Sequence, residues 1–175
     1  MDSLVDLIVG KYAPLPAASL AQLVRHLRAA TPQWATDRRR ALEHAKQRLR
    51  HTRIDGVDWF WPTSENPASQ RYRVEDRVRL LAPFDPLVWD RRRFEAFWGW
   101  PYRFEAYTPA PKRKLGYYAL PLLWRDAVIG WANVTVRGDH LVPEIGFVGQ
   151  RPRDRAFTVA LEAELDAMSE FLGLR

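Results

Sequence analysis

The 175-residue chain has no cysteine, so disulfides, thiolate nucleophiles, iron–sulfur clusters and cysteine-ligated zinc are excluded together. Nor does it contain an apolar run approaching the ~18 residues of a membrane span. Its first residues, Met1-Asp2-Ser3-Leu4-Val5-Asp6, place acids where a secretory leader needs bases. These absences lead us to expect a cytoplasmic protein with no membrane partner. Also missing are a glycine-rich phosphate loop, a GxSxG elbow and a dinucleotide fingerprint, the usual supports of nucleotide hydrolysis, serine-hydrolase chemistry and nicotinamide redox. The four histidines, His26, His44, His51 and His140, show neither HExxH nor a carboxylate spacing suited to zinc. No metal and no cofactor are expected.

Acids are the scarcer charge. There are 21 Asp and Glu against 27 Lys and Arg, a net charge of +6 and a pI near 10, which favours polyanionic partners. The excess is uneven: residues 1–137 carry +9 and residues 138–175 carry −3. Apolar residues make up 47% of the chain and aromatics 13%, including eight Trp, which is a globular composition. Most of the Trp are expected in the core, since strand alternation accounts for Trp59, Trp61, Trp124 and Trp131.

Three helices open the chain. Ser3 to Gly10 reads as a short capped helix, and Ser19-Leu20-Ala21-Gln22 as a capping box starting a second over about 20–30. Thr31-Pro32 signals a third, running to about Arg50. Trp34, Ala41, Leu42, Ala45 and Leu49 line one side of it, although Arg38 falls among them; the other side carries Arg39, Arg40, Glu43, Lys46, Gln47 and Arg50. Two short strand-like runs follow, around Asp55-Gly56, a pair suited to the positive φ values of a type I′ hairpin. Three helices and a hairpin are the order of a winged helix-turn-helix, with the third helix as reader and the hairpin as wing.

Residues 63–72 are polar, aperiodic and rich in Pro and Ser, as a linker is. Beyond them, 77–81, 102–107, 117–124, 128–137 and 141–148 read as strands of a small antiparallel sheet or barrel. A helix from about Pro86 to Trp98, closed by Gly99, interrupts them. A last helix spans about 154–172, with Phe157, Leu161, Leu165, Met168 and Leu172 on one face. The expected fold class is α+β: a winged helix over 1–62, a linker over 63–72 and a β-barrel-like domain with a C-terminal helix over 73–175.

The third helix and wing hold Arg38, Arg39, Arg40, Lys46, Arg48, Arg50 and Arg53, with Glu43 the only acid in residues 38–53. Guanidinium groups on such a face pair bidentately with phosphates and release counterions, so Arg39, Arg40, Lys46, Arg50 and Arg53 are candidate DNA contacts; a solvated helix face is the plain alternative. Lys112, Arg113 and Lys114 form a second candidate set, in a Pro-bounded loop among Tyr107, Tyr117 and Tyr118, able to clamp a backbone or stack a base; a solvated loop is again the alternative. Asp85, set among apolar residues, is a candidate acid–base carboxylate, but Asp before Pro more simply caps a helix.

Three long strings carry a family resemblance. They are Asp55-Gly56-Val57-Asp58-Trp59-Phe60-Trp61-Pro62, the run from Arg79 to Phe94 that contains Ala82-Pro83-Phe84-Asp85-Pro86, and the run from Tyr102 to Arg113. With them the chain resembles the C-terminal part of the YcaQ-like, or AlkZ-like, winged-helix DNA glycosylases that unhook interstrand crosslinks. The resemblance implies that 1–62 is the last of several winged helices and that 73–150 is most of a barrel. It also implies a catalytic Gln-x-Gln or Gln-x-Asp motif in an earlier winged helix. None of Gln22, Gln33, Gln47, Gln70 or Gln150 has Gln or Asp two residues on. The expectation is therefore a truncated or split member that binds DNA, alone or with a chain supplying the missing N-terminal region, with no catalytic residue assigned in this chain. An active glycosylase on alkylated or crosslinked DNA, and a winged-helix module for protein–protein contacts, are the alternatives.

Overall fold

A computed structural model describes residues 1–174, which divide into two compact units, Met1–Arg71 and a second beginning at Tyr72. In the first unit, α1 (Asp2–Tyr12), β1 (Leu15–Pro16), α2 (Ala17–His26) and α3 (Ala35–Arg48) precede β2 (Arg50–Ile54) and β3 (Val57–Trp61). The second contains β4 (Val78–Leu80), α4 (Arg91–Trp98), β5 (Leu120–Trp124), β6 (Ala127–Arg137), β7 (His140–Phe147) and α5 (Arg155–Phe171). The fold class is α+β, with five helices and two antiparallel sheets.

Helix α1 buries Val5 and Val9, one turn apart, and passes through Gly10 instead of stopping there. Pro14 ends it, because the residue before a proline is driven out of the helical region, and Ala13 is extended. Helix α2 starts two residues before the Ser19 cap we expected. Pro16 hands the chain directly from β1 to the helix, and Ser19 lies buried inside it. Thr31 likewise does not cap α3: its hydroxyl donates back to the Leu27 carbonyl at 2.9 Å, and a 3-10 turn over Pro32–Trp34 comes first. Helix α3 ends at Arg48, not near Arg50. Leu49 is extended and buried, and Arg50 already pairs with Trp61 in the sheet.

Two acids one turn apart on α1 meet two bases one turn apart on α3. Asp2 lies 2.7 Å from His44, and Asp6 pairs with Arg48. The bond to His44 holds the Asp2 carboxyl below the usual carboxylate range. The three-stranded sheet has the order β1-β3-β2, so β2, like β1, is an edge strand. Asp55 and Gly56 have φ of 51° and 78°, the two positive values that a type I′ turn demands, and the expected hairpin forms between Ile54 and Val57.

In the second unit the strands follow the order β4-β5-β6-β7. The sheet is open and no barrel closes among the described residues. Four strands are too few to close, and the expected strand over 102–107 is a loop. There Tyr102 donates its hydroxyl to the Ala119 carbonyl at 2.7 Å, and Glu105 accepts backbone amides nine and ten residues away, so side chains take the place of a ladder. Leu122 and Ile129 join one apolar cluster while their neighbours Leu123 and Val128 join another, as the alternation of a two-faced sheet requires. On one face Phe157 and Leu161 of α5 pack with Val78, Leu122 and Trp124. On the other, Phe94 of α4 packs with Leu81, Val88, Trp100 and Tyr102.

Helix α4 is shorter than expected. Asp85 does engage an amide, that of Leu87 at 2.8 Å, but in a separate turn; Asp90 caps the helix itself through the Arg93 amide at 3.2 Å, and Gly99 closes it at φ 72°. Asp154 caps α5 by accepting from the Ala156 amide at 2.9 Å.

Candidate nucleic-acid interface

The candidate basic residues of the first unit fall into two groups. Arg38 donates to the Thr31 carbonyl, Lys46 lies 3.1 Å from Glu43, and Arg48 is held by Asp6. Arg39, Arg40, Arg50 and Arg53 are exposed, and among the described residues no carboxylate lies within ion-pair distance of any of them. Lys46, a candidate from the sequence, is thus half-buried and neutralised by a neighbour on its own helix. Arg39 and Arg40 stand on α3, whereas Arg50 and Arg53 stand on the edge strand β2, whose five residues are all exposed. Three positions apart on a strand, Arg50 and Arg53 point to opposite faces, so the hairpin does not gather them on one side.

The second set sits in the loop 101–118, and its shape follows from a few fixed bonds. Glu105 is 7% exposed, and its carboxylate accepts the amides of Lys114 at 2.8 Å and Leu115 at 2.7 Å. From β6, Asn133 donates its side-chain amide to the Leu115 carbonyl at 2.7 Å. The next residue must be glycine: Gly116 has φ 117°, and a Cβ there would stand 2.5 Å from the Asn133 side chain. Arg113 lies against the loop, its Nε donating to the Thr108 carbonyl at 2.8 Å and its guanidinium 4.9 Å from the Tyr117 ring centroid. Lys112 and Lys114 remain exposed.

Beside this loop runs a groove of about 560 Å³ with Trp100, Trp131 and Phe147 in its wall and Arg103, Lys112 and Lys114 among its polar lining. Trp131, expected in the core, is only half-buried. Sequence reasoning missed Arg103 and Phe84. The signal for Phe84 was present, since a Phe held between Pro83 and Asp85-Pro86 sits in a turn, and a turn residue faces solvent.

The other charged groups here are structural. Arg91 lies 4.7 Å over the Tyr102 ring and donates to the Val88 carbonyl at 2.7 Å. Burial lowers the Arg91 pKa and pushes Tyr102 up to about 12. Asp85 is committed to the Leu87 amide. Among the described residues no group of His, Asp and Glu is arranged to hold a metal ion, and no helix is long and apolar enough to cross a membrane.

The sequence model of the family described as DNA glycosylase AlkZ-like matches residues 1–171 of this chain. No solved structure matches it.

Proposed function

The chain belongs to the AlkZ-like DNA glycosylase family, and from that membership we propose that it binds duplex DNA through a winged helix-turn-helix over residues 1–62, followed by a linker over 63–72 and a second domain beyond it. In this reading α3 is the reader helix and the β2–β3 hairpin is the wing. Arg39, Arg40, Arg50 and Arg53 meet the phosphate backbone, with Lys46 released from Glu43 as a further contact. The order α1, β1, α2, α3, β2, β3, with β1 closing onto β3, supports it.

The observation that carries the proposal is four exposed arginines, on one helix and one edge strand, with no carboxylate within ion-pair distance among the described residues. None of them is in an ion pair that a phosphate would have to displace, so contact gains the free energy of counterion release. Fluorescence anisotropy with a labelled duplex at several salt concentrations tests it. Arg39→Ala with Arg50→Ala should weaken binding and flatten the slope of log affinity against log salt by about 1.8, at ~0.9 per lost phosphate contact. An unchanged slope would remove the reader-helix assignment.

Base excision by this chain is a second reading, favoured by its membership of a DNA glycosylase family. It needs a positioned water and stabilisation of a developing oxocarbenium ion. Asp85 has an amide in its grasp, and the glutamine pattern that the resemblance ties to catalysis has no counterpart here. We therefore favour binding without turnover. Abasic sites accumulating in alkylated duplex, and lost in a carboxylate variant, would reverse that preference.

A further inference from the structure

The second unit exposes a group of aromatic rings that packing does not explain. Tyr107 is 90% exposed, Phe84 70%, Tyr117 60% and Tyr118 47%. They are not scattered. Phe104 meets Phe84, Tyr107 and Tyr118 at centroid distances of 5.7, 6.2 and 5.1 Å with interplanar angles of 69°, 87° and 89°. Phe84, Tyr107 and Tyr118 are splayed around Phe104, none stacked on it, and Tyr117, next to Tyr118 in the chain, has its ring under the Arg113 guanidinium. A contiguous patch of this kind on a water-exposed surface marks a place where something else is meant to sit.

The surrounding charge says what. Residues 101–118 contain Arg103, Lys112, Arg113 and Lys114 against the single acid Glu105, and Glu105 is buried and turned to the backbone amides of its own loop. The charge this loop leaves at the surface is positive, and Asp85, beside Phe84, is half-buried and accepts the Leu87 amide. Arg113, stacked on Tyr117, joins aromatic and positive character in one contact. A protein partner of apolar character would leave these cations unmatched, and a paired duplex has its base faces already covered. A single strand offers both an unstacked π face for each ring and a phosphate for each cation.

We propose that the Phe84, Tyr107, Tyr117 and Tyr118 patch, edged by Lys112, Arg113 and Lys114, is a stacking platform for unpaired DNA. It is a site distinct from the α3 and β2 arginines and depends on the family reading only for the class of polymer. The loop is rigidly anchored by Glu105 and Asn133, so the rings are held out before the strand arrives and little ordering entropy is lost on binding.

The test uses the full chain and two probes: a fluorescein-labelled oligothymidylate of about 15 nucleotides, within the span of known single-strand sites, and a blunt duplex. The variant F84A/Y107A/Y117A should lose at least about tenfold in affinity for the single strand, the loss expected of even one stacked base, while duplex affinity stays within about twofold. The variant Y107F/Y117F keeps the rings and should bind the single strand as the parent does. K112A/K114A should flatten the single-strand salt slope by about 1.4, at ~0.7 per contact. Single-strand affinity unmoved by F84A/Y107A/Y117A overturns the platform, as does an equal loss with Y107F/Y117F, which would make the contact one of hydroxyl groups. Light scattering in parallel decides against a second copy as occupant: a dimer that becomes a monomer in F84A/Y107A/Y117A, with single-strand binding intact, overturns the proposal. The two readings fail separately. Absent oligothymidylate binding with normal duplex binding sinks the platform alone, and duplex binding indifferent to the Arg39 and Arg50 changes sinks the reader helix alone.

Discussion

A single carboxylate, Glu105, decides the shape of the loop that carries half of the candidate contacts. Its two short bonds to backbone amides are charge-assisted, and both amides lie where little water can replace it. Glu105→Ala is expected to destabilise the chain by about 3 kcal/mol in urea denaturation, and Glu105→Gln by less, since both amides point at one carboxylate oxygen and an amide oxygen in its place still accepts from them without the charge. A loss under about 0.5 kcal/mol for Glu105→Ala would mean that water takes over both bonds. Tyr102 gives a prediction in pH. Burial raises its folded-state pKa to about 12, above the ordinary value of 10, so its contribution to stability is fully present below about pH 10 and is lost as pH rises towards 12. The ionised oxygen would also forfeit the bond to the Ala119 carbonyl. Comparing the parent with Tyr102→Phe by absorbance titration should therefore place the missing phenol near pH 12, and one missing near pH 10 would deny its burial.

Among the elements, the hairpin at Asp55-Gly56 was legible because its turn chemistry is local: two residues tolerant of positive φ suffice, and both adopt it. Helix α5 was legible because Phe157 and Leu161 repeat at helical spacing. Other elements were set by distant partners that no window of sequence contains. The end of α3 is fixed by Arg50 pairing with Trp61, and the loop at 102–107 by Glu105 reaching residues 114 and 115. Asp85 offered a helix start, but it accepts the Leu87 amide in a separate turn, and the helix begins later, at Asp90. Within the candidate site, the exposure of Arg39 and Arg40 followed from polar spacing on a helix, Arg50 was read onto that helix but stands on β2, and the capture of Arg48 by Asp6 depends on a partner 42 residues away. Two strand glycines were equally silent. On β6 a Cβ at Gly130 would meet the Gly146 carbonyl oxygen at 2.1 Å, and on β7 one at Gly146 would meet the Trp131 ring at 2.3 Å. Gly130→Ala must move backbone and is expected to cost about 3 kcal/mol or more, Gly146→Ala about 1–3 kcal/mol because an indole can shift. Thermal melts that rank the two the other way would refute this account of the sheet.

At the scale of the whole chain, the division after Arg71 coincides with a stretch, residues 63–77, that is almost wholly exposed and holds no helix or strand. At its end the chain is tied down. Arg125 lies 2.7 Å from Asp76 and 3.4 Å from Asp154, and its amide donates to the Arg77 carbonyl at 3.2 Å, so β4 enters its sheet already clamped. Trypsin needs several residues of locally extended, detachable backbone, and Arg71 and Arg73 meet that requirement better than Arg77. The Lys112–Lys114 loop is equally rich in cleavage sites but is held by Glu105 and Asn133. Limited digestion should therefore cut first at Arg71 or Arg73 and give two fragments, each retaining helical and strand signals in circular dichroism. Because unit one holds the exposed arginines and unit two the aromatic platform, the first fragment should keep duplex affinity and the second affinity for oligothymidylate. Early cleavage at Lys112 or Lys114, or fragments that unfold on separation, would show that neither unit stands by itself and that the two binding surfaces have to be tested on the intact chain alone.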